Sequence, residues 1–196
     1  MTSFVSSYFD NKPLRKLKET ITKGWTDKNL QNHLRMIAVP ESATSVLEIG
    51  CGIGRMLKAI AEMPNVERCY GYDASTRMIE EAPKYCTNPK VSFRLCDGTG
   101  AIKHPDPEVD FAFAWLVFQH IPSSPTVLRY VSNMVRVIVP GGTVKCQILR
   151  HNERPGSPLW SWHSPTEIAM TIEKTGCDAT IDYFTDRWVM VKGIKR

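Results

Sequence analysis

Val46-Leu47-Glu48-Ile49-Gly50-Cys51-Gly52-Ile53-Gly54 is an apolar strand that runs directly into a glycine loop, with an acid two residues ahead of the first glycine. Gly50, Gly52 and Gly54 carry no Cβ, so the backbone can turn sharply, approach a ligand closely and open the helix that Arg55-Met56-Leu57-Lys58-Ala59-Ile60-Ala61 predicts. The dinucleotide fingerprint spaces its glycines G-x-G-x-x-G and sets a pyrophosphate on the helix N-terminus. Here the spacing is G-x-G-x-G, and the carboxylate of Glu48 would repel a pyrophosphate. The loop suits a ligand with a positive end.

Outward from this loop, strand-like and helix-like runs alternate, which argues for a parallel sheet covered on both faces. Strands are expected near 44–49, 67–72, 90–95, 109–115 and 143–149, and helices near 54–63, 75–82 and 124–138. Ser164-Pro165-Thr166-Glu167 has the serine cap, first-turn proline and third-position glutamate of a helix start. Ala179 to Tyr183 and Trp188 to Val191, split by Thr185-Asp186-Arg187, read as a hairpin.

Acids close the second and third strands, in Gly71-Tyr72-Asp73 and Cys96-Asp97-Gly98. Val109 to Trp115, Phe118-Gln119-His120-Ile121-Pro122 and Arg136 to Gly142 follow in order. Together these motifs resemble the class I S-adenosylmethionine-dependent methyltransferases over about residues 40 to 192. The resemblance implies an α/β fold with a seven-stranded, mostly parallel sheet, order 3-2-1-4-5-7-6, strand 7 antiparallel and helices on both faces. It also implies a helical lid over residues 1–39 ahead of a methyltransferase domain at 40–196. S-adenosyl-L-methionine is then the cofactor and S-adenosyl-L-homocysteine the product.

Composition is that of an ordinary globular protein, 42% hydrophobic and 23% charged in 196 residues, a length that suits one domain. The six cysteines stand far apart, with no C-x-x-C pair and no Cys/His cluster of zinc spacing, so no metal is expected. No signal-like or membrane-spanning run appears, and a cytoplasmic monomer or homodimer is the expectation. Net charge is +5; residues 1 to 36 supply +4, with seven basic side chains against three acidic. That modest excess reads as a solvated lid and leaves nucleic acid as a secondary option.

In open α/β sheets the ligand lies beyond the carboxyl ends of the strands, where strand order reverses. The cofactor set expected there is Glu48, Gly50, Cys51, Gly52, Gly54, Asp73, Ala74, Asp97, Gly98 and Trp115. Asp73 stands 19 residues past Gly54, the place of an acid that accepts ribose hydroxyls, and Asp97 with Gly98 resembles the adenine-reading position. Glu48, ending a buried strand, needs a partner, either the methionine ammonium or Lys58 or Arg55.

His120 is the candidate general base, with a scaffold role bonding the loop backbone as the competing reading. Acceptor contacts are expected from Tyr8, Trp25, Trp115, Phe118, His120, Arg150, His151, Arg154 and Trp160, with Phe118 alternatively facing the core. His33 reads as a plain surface histidine. The Asn-Pro-Pro-Tyr-like motif that in this family marks amino-group methylation of DNA bases or protein glutamine does not follow the fourth strand, and the Pro-Cys nucleophile of the cytosine carbon-5 enzymes does not occur, so the resemblance implies a small-molecule acceptor, methylated on O or N. Methylation of RNA or protein, or cofactor binding without catalysis, are the alternatives.

Overall fold

The computed structural model describes residues 10–11, 26–105, 108–151 and 160–196. Seven strands form one sheet in the order β3-β2-β1-β4-β5-β7-β6. They are β1 Ser45–Ile49, β2 Arg68–Asp73, β3 Val91–Leu95, β4 Val109–Ala114, β5 Ile138–Leu149, β6 Cys177–Asp182 and β7 Trp188–Lys195. All neighbouring pairs are parallel except those of β7, which runs antiparallel to both β5 and β6. The expected topology is therefore present. Strand order reverses between β1 and β4, and the crevice rule places the site at the carboxyl ends of those two strands.

Helices cover both faces, and β1 and β4 at the centre of the sheet are buried on both sides. On one face α4 (Ser124–Val137) and α5 (Pro165–Lys174) bury Val127, Val131, Met134, Ile168 and Ile172 against Leu47, Ile49, Val144 and Ile148. On the other, α1 (Asp27–Ile37) and α2 (Arg55–Ile60) bury Leu34, Ile37, Met56, Leu57 and Ile60 against Val46, Phe111 and Phe113. Helix α3 (Thr76–Tyr85) packs Ile79 on this second face. Serine caps start three of these helices: Ser75, Ser123 and Ser164 accept from Met78, Thr126 and Glu167 N–H groups.

One boundary differs from expectation. The chain passes from α4 straight into β5 at Ile138, well before residue 143. Val109 pairs with Ile138 and Phe111 with Thr143, so five residues of β5 match two of β4. Gly141, at φ +79°, takes up the surplus.

The amino ends of β1 and β4 are tied by Asp110. Its Oδ2 accepts the N–H of Thr44 (2.8 Å), the N–H of Ser45 (2.9 Å) and both their hydroxyls. Burial raises its pKa, but these bonds outweigh burial and hold it below the ordinary carboxylate range.

Candidate functional site

The glycine loop is fastened to the end of β2. Gly50 and Cys51 donate their N–H groups to Tyr72 O at 2.7 and 3.1 Å, and Gly52 N–H donates to Asp73 Oδ2 at 2.8 Å. The loop amides that sequence spacing predicted as ligand donors are thus spent on preorganising the turn. What the glycines provide is shape. A Cβ on Gly50, at φ +71°, would lie 2.2 Å from Val117 Cγ2, whereas one on Gly52, at φ +55°, would meet nothing within 4 Å. The loop is pressed against the segment after β4 on one side and open at Gly52 on the other.

Glu48 is 3% exposed, and its Oε2 makes no hydrogen bond. Burial drives its pKa well above the ordinary value of 4.5; Arg55 opposes the shift and Asp73 adds to it. Lys58, considered as a partner from sequence, instead reaches Tyr85, its Nζ 3.4 Å from the carbonyl and 4.8 Å from the ring centre. Arg55 is itself desolvated, its pKa pulled down to about 10.

Asp73 accepts from Gly52 N–H with one oxygen and from Ser75 N–H (2.9 Å) with the other. Burial lifts its pKa, the backbone N–H groups of Ser75, Gly52 and Ala74 pull it back, and Asp10 adds to the rise. Ala74 is half-buried beside it. Asp10 sits at the start of α3, accepting from Ser75 Oγ at 2.5 Å and Arg77 N–H at 3.2 Å. Asp97 is exposed and closes a turn onto Thr99, accepting its N–H (2.9 Å) and hydroxyl (2.7 Å), which lowers its pKa. Gly98 follows at φ +74°.

Trp115 is 5% exposed and donates Nε1–H to His33 Nδ1 at 3.1 Å, the two rings edge to face. His33 is therefore not the plain surface residue it resembled. Because an indole N–H only donates, Nδ1 must be unprotonated, and burial with Arg55 nearby lowers the pKa of His33 accordingly. The helical period brings His33, Leu34 and Ile37 of α1 toward the sheet, a signal visible only once the axis of α1 is known.

The loop after β4 also departs from expectation. Phe118 is wholly buried and stacks on Tyr130 in the core, so the acceptor-wall role foreseen for it is withdrawn. The histidine that braces this loop is His163: Nε2 donates to Phe118 O (3.0 Å) and Ile121 O (2.9 Å), and Ser124 Oγ meets Nδ1 at 3.0 Å. His120 is half-buried with its ring edge to face against Trp160. Arg187, read from sequence as a turn residue, lies between Trp160 and Trp188, 5.2 and 4.7 Å from their ring centres. Arg150 stacks over Tyr183 and stands 3.7 Å from Asp186, and His151 is exposed. Tyr8, Trp25 and Arg154 lie outside the described residues.

The edge thus holds a buried carboxylate with one oxygen lacking a hydrogen bond, an open approach at a glycine, an acid ending β2 and an aromatic wall. This arrangement fits a ligand with an ammonium at one end and a ribose further along. No helix among the described residues is long and apolar enough to cross a membrane.

Residues 46–142 match the family model described as a methyltransferase domain. The chain is 29% identical over 119 residues to trans-aconitate 2-methyltransferase of Azoarcus sp. strain BH72, covering 61% of this chain and 44% of that protein. It is 32% identical over 127 residues to demethylmenaquinone methyltransferase of Bacillus licheniformis, covering 63% and 50%. The chain thus spans about half the length of these curated relatives. The structure of magnesium protoporphyrin IX methyltransferase from Synechocystis PCC 6803 with bound SAH shares the fold, with a TM-score of 0.73 at 13% identity over 98% of both chains. The sheet order, the acid-led glycine loop and the matching family model together establish that the chain belongs to the class I S-adenosylmethionine-dependent methyltransferases.

Proposed function

We propose that the protein transfers the methyl group of S-adenosylmethionine to an oxygen or nitrogen of a small molecule. The observation that carries this reading is Glu48, a buried carboxylate with an orphaned oxygen at the strand-order switch point. An isolated buried charge is costly, and an ammonium placed against it removes that cost. When bound, S-adenosylmethionine supplies an electrophilic methyl carbon on a sulfonium that leaves as the neutral thioether.

The residues of the chain divide the remaining work. Glu48 takes the ammonium, Asp73 takes ribose hydroxyls on the lone pairs its N–H bonds leave over, and Asp97 with Gly98 reads the adenine. Trp115 walls the crevice, and Asp10 and α1, described parts of the expected lid over residues 1–39, adjoin it. Two contacts support that lid: Asp10 on the start of α3 and His33 on Trp115. Holding the acceptor in line with the carbon–sulfur bond at about 3–3.5 Å can lower the barrier by several kcal/mol. His120 accepts a proton where the acceptor is a hydroxyl.

The small-molecule class is supported by the relatives, whose names specify trans-aconitate and demethylmenaquinone, and by the magnesium protoporphyrin IX enzyme. The test is to incubate the full chain with methyl-labelled S-adenosylmethionine and separate small-molecule, RNA and protein fractions. Label in the small-molecule fraction is the expected result. Label confined to RNA or protein would contradict the reading.

A further inference from the structure

Gln147 is a buried polar residue at the carboxyl edge that cofactor binding leaves unused. It lies on β5, 0% exposed, and its Oε1 accepts the N–H of Leu116 at 2.7 Å. A backbone N–H can only donate, so the atom facing Leu116 is the amide oxygen and the orientation of the amide is fixed. The other end, Nε2, is buried with no hydrogen-bond partner. Leu116 itself has φ +56°, uncommon for a residue with a side chain. Clamping Leu116 accounts for the oxygen of Gln147. It does not account for an orphaned NH2, which an apolar side chain would have avoided.

The placement of this amide is specific. Phe113 pairs with Glu48 on one side and with Lys145 on the other, so Glu48, Phe113 and Lys145 share a face of the sheet, and Gln147 is the next residue of β5 on that face. Trp115 follows Phe113 in the same way. The segment that Gln147 holds, Leu116-Val117, is the one whose Val117 side chain presses on Gly50 of the cofactor loop. The residue that carries the unused NH2 thus holds the segment that presses on the cofactor loop.

Resting on the methyltransferase reading above, we infer that Gln147 binds the methyl acceptor through its NH2 and that the acceptor is a small carboxylate. With the oxygen turned to Leu116, the other end of the Gln147 amide offers two N–H donors. A carboxylate brings lone pairs alone and meets these donors with no proton of its own to place, whereas a hydroxyl or amine must find an acceptor for its proton elsewhere. A carboxylate is already deprotonated at neutral pH, so its oxygen can form the new bond to the methyl carbon, while the carbon–sulfur pair goes to sulfur, without a general base.

The test uses the full chain saturated with S-adenosylhomocysteine and titrated calorimetrically with succinate, citrate, benzoate and cinnamate and with their carboxamides. At least one carboxylate should bind, and its carboxamide should bind more weakly. Gln147→Glu keeps an acceptor for Leu116 N–H and replaces the NH2 by an oxygen; it should weaken that carboxylate by about 10- to 100-fold with S-adenosylhomocysteine affinity of the folded protein little changed. Gln147→Leu should also lower Tm, because Leu116 N–H then loses its partner. With methyl-labelled S-adenosylmethionine, the same carboxylate should give a product that releases labelled methanol in alkali, as a methyl ester does. Absence of carboxylate binding, equal binding by wild type and Gln147→Glu, or an alkali-stable labelled product would overturn the inference. Should S-adenosylhomocysteine itself fail to bind, the methyltransferase reading falls with it; should it bind while no carboxylate does, only the Gln147 inference falls.

Discussion

The two ends of the central strands treat their buried acids in opposite ways. At the amino ends, Asp110 gathers four donors from Thr44 and Ser45, and its pKa falls. At the carboxyl ends, Glu48 keeps an oxygen without a partner, and burial drives its pKa up. Nearby, Gln147 keeps an unpaired NH2 and Gln119 an unpaired Oε1. The saturated end holds the sheet together. The carboxyl end carries polar groups that a ligand could partner, which is where the proposed site lies.

The largest effect is expected where the carboxyl edge is physically blocked. Gly52→Val should weaken cofactor binding by about 100-fold or more, since a β-branched residue at φ +55° adds strain and fills the open approach. Circular dichroism should show the fold retained, because among the described residues nothing beyond the chain neighbours of Gly52 lies within 4 Å of the added Cβ. Cofactor affinity equal to wild type would mean that the opening at Gly52 is not the ligand's place.

Exchanging acids between the two ends sharpens the contrast. Asp73→Ala should weaken cofactor binding by about 1.5–3 kcal/mol, the range for hydrogen bonds to a charged group. Asp110→Ala should instead cost about 2 kcal/mol of folding stability, by stranding the donors of Thr44 and Ser45, with cofactor affinity of the folded protein unchanged. Denaturant titration and calorimetry on both variants separate the outcomes. Equal losses of binding from the two would erase the distinction.

The pH dependence should also run in opposite senses. Asp110 has a depressed pKa, so its contribution to stability is present above its ordinary 3.8 and is lost as pH falls through the lowered value. Glu48 has a raised pKa, so the cofactor-free protein is favoured below 4.5 and loses that favour as pH rises through the raised value. Thermal melts of wild type, Asp110→Asn and Glu48→Gln across pH should show each slope disappear in its own variant.

The smallest change is expected at His120. For a carboxylate acceptor, His120→Ala should leave kcat within about threefold, whereas a loss of about 10²–10⁴ would mark a hydroxyl acceptor whose proton His120 takes.

What could be read from the chain follows the range of the interactions involved. The strands were legible because apolar runs, glycine spacing and acids after strands are local patterns, and the serine caps before α3 and α5 are fixed by three or four residues; the sheet order came from the resemblance those motifs carry. Glu48, Gly52 and Asp73 were legible for the same reason. His33 was not, because its meeting with Trp115 joins positions 82 residues apart. Gln147 resembles any polar residue in an apolar strand until its bond to Leu116 is seen, and His163, which braces the loop after β4, does so through contacts 39 to 45 residues away. The early start of β5 was hidden by Gly141-Gly142, which reads as a turn but here absorbs a register shift within a strand.

The central claim, that the carboxyl edge leaves Glu48 uncompensated for a cationic ligand, is tested most directly by titrating S-adenosylmethionine into wild type and Glu48→Gln. The titration is run in two buffers of different ionisation enthalpy, near the raised pKa of Glu48. Wild type should bind one cofactor with release of a proton, because the arriving ammonium pulls the pKa of Glu48 back down. Glu48→Gln should bind about 10- to 100-fold more weakly, with that proton release gone and Tm no lower than wild type. Equal affinity and unchanged proton release in the two proteins, or no binding of S-adenosylmethionine by wild type, would contradict the account.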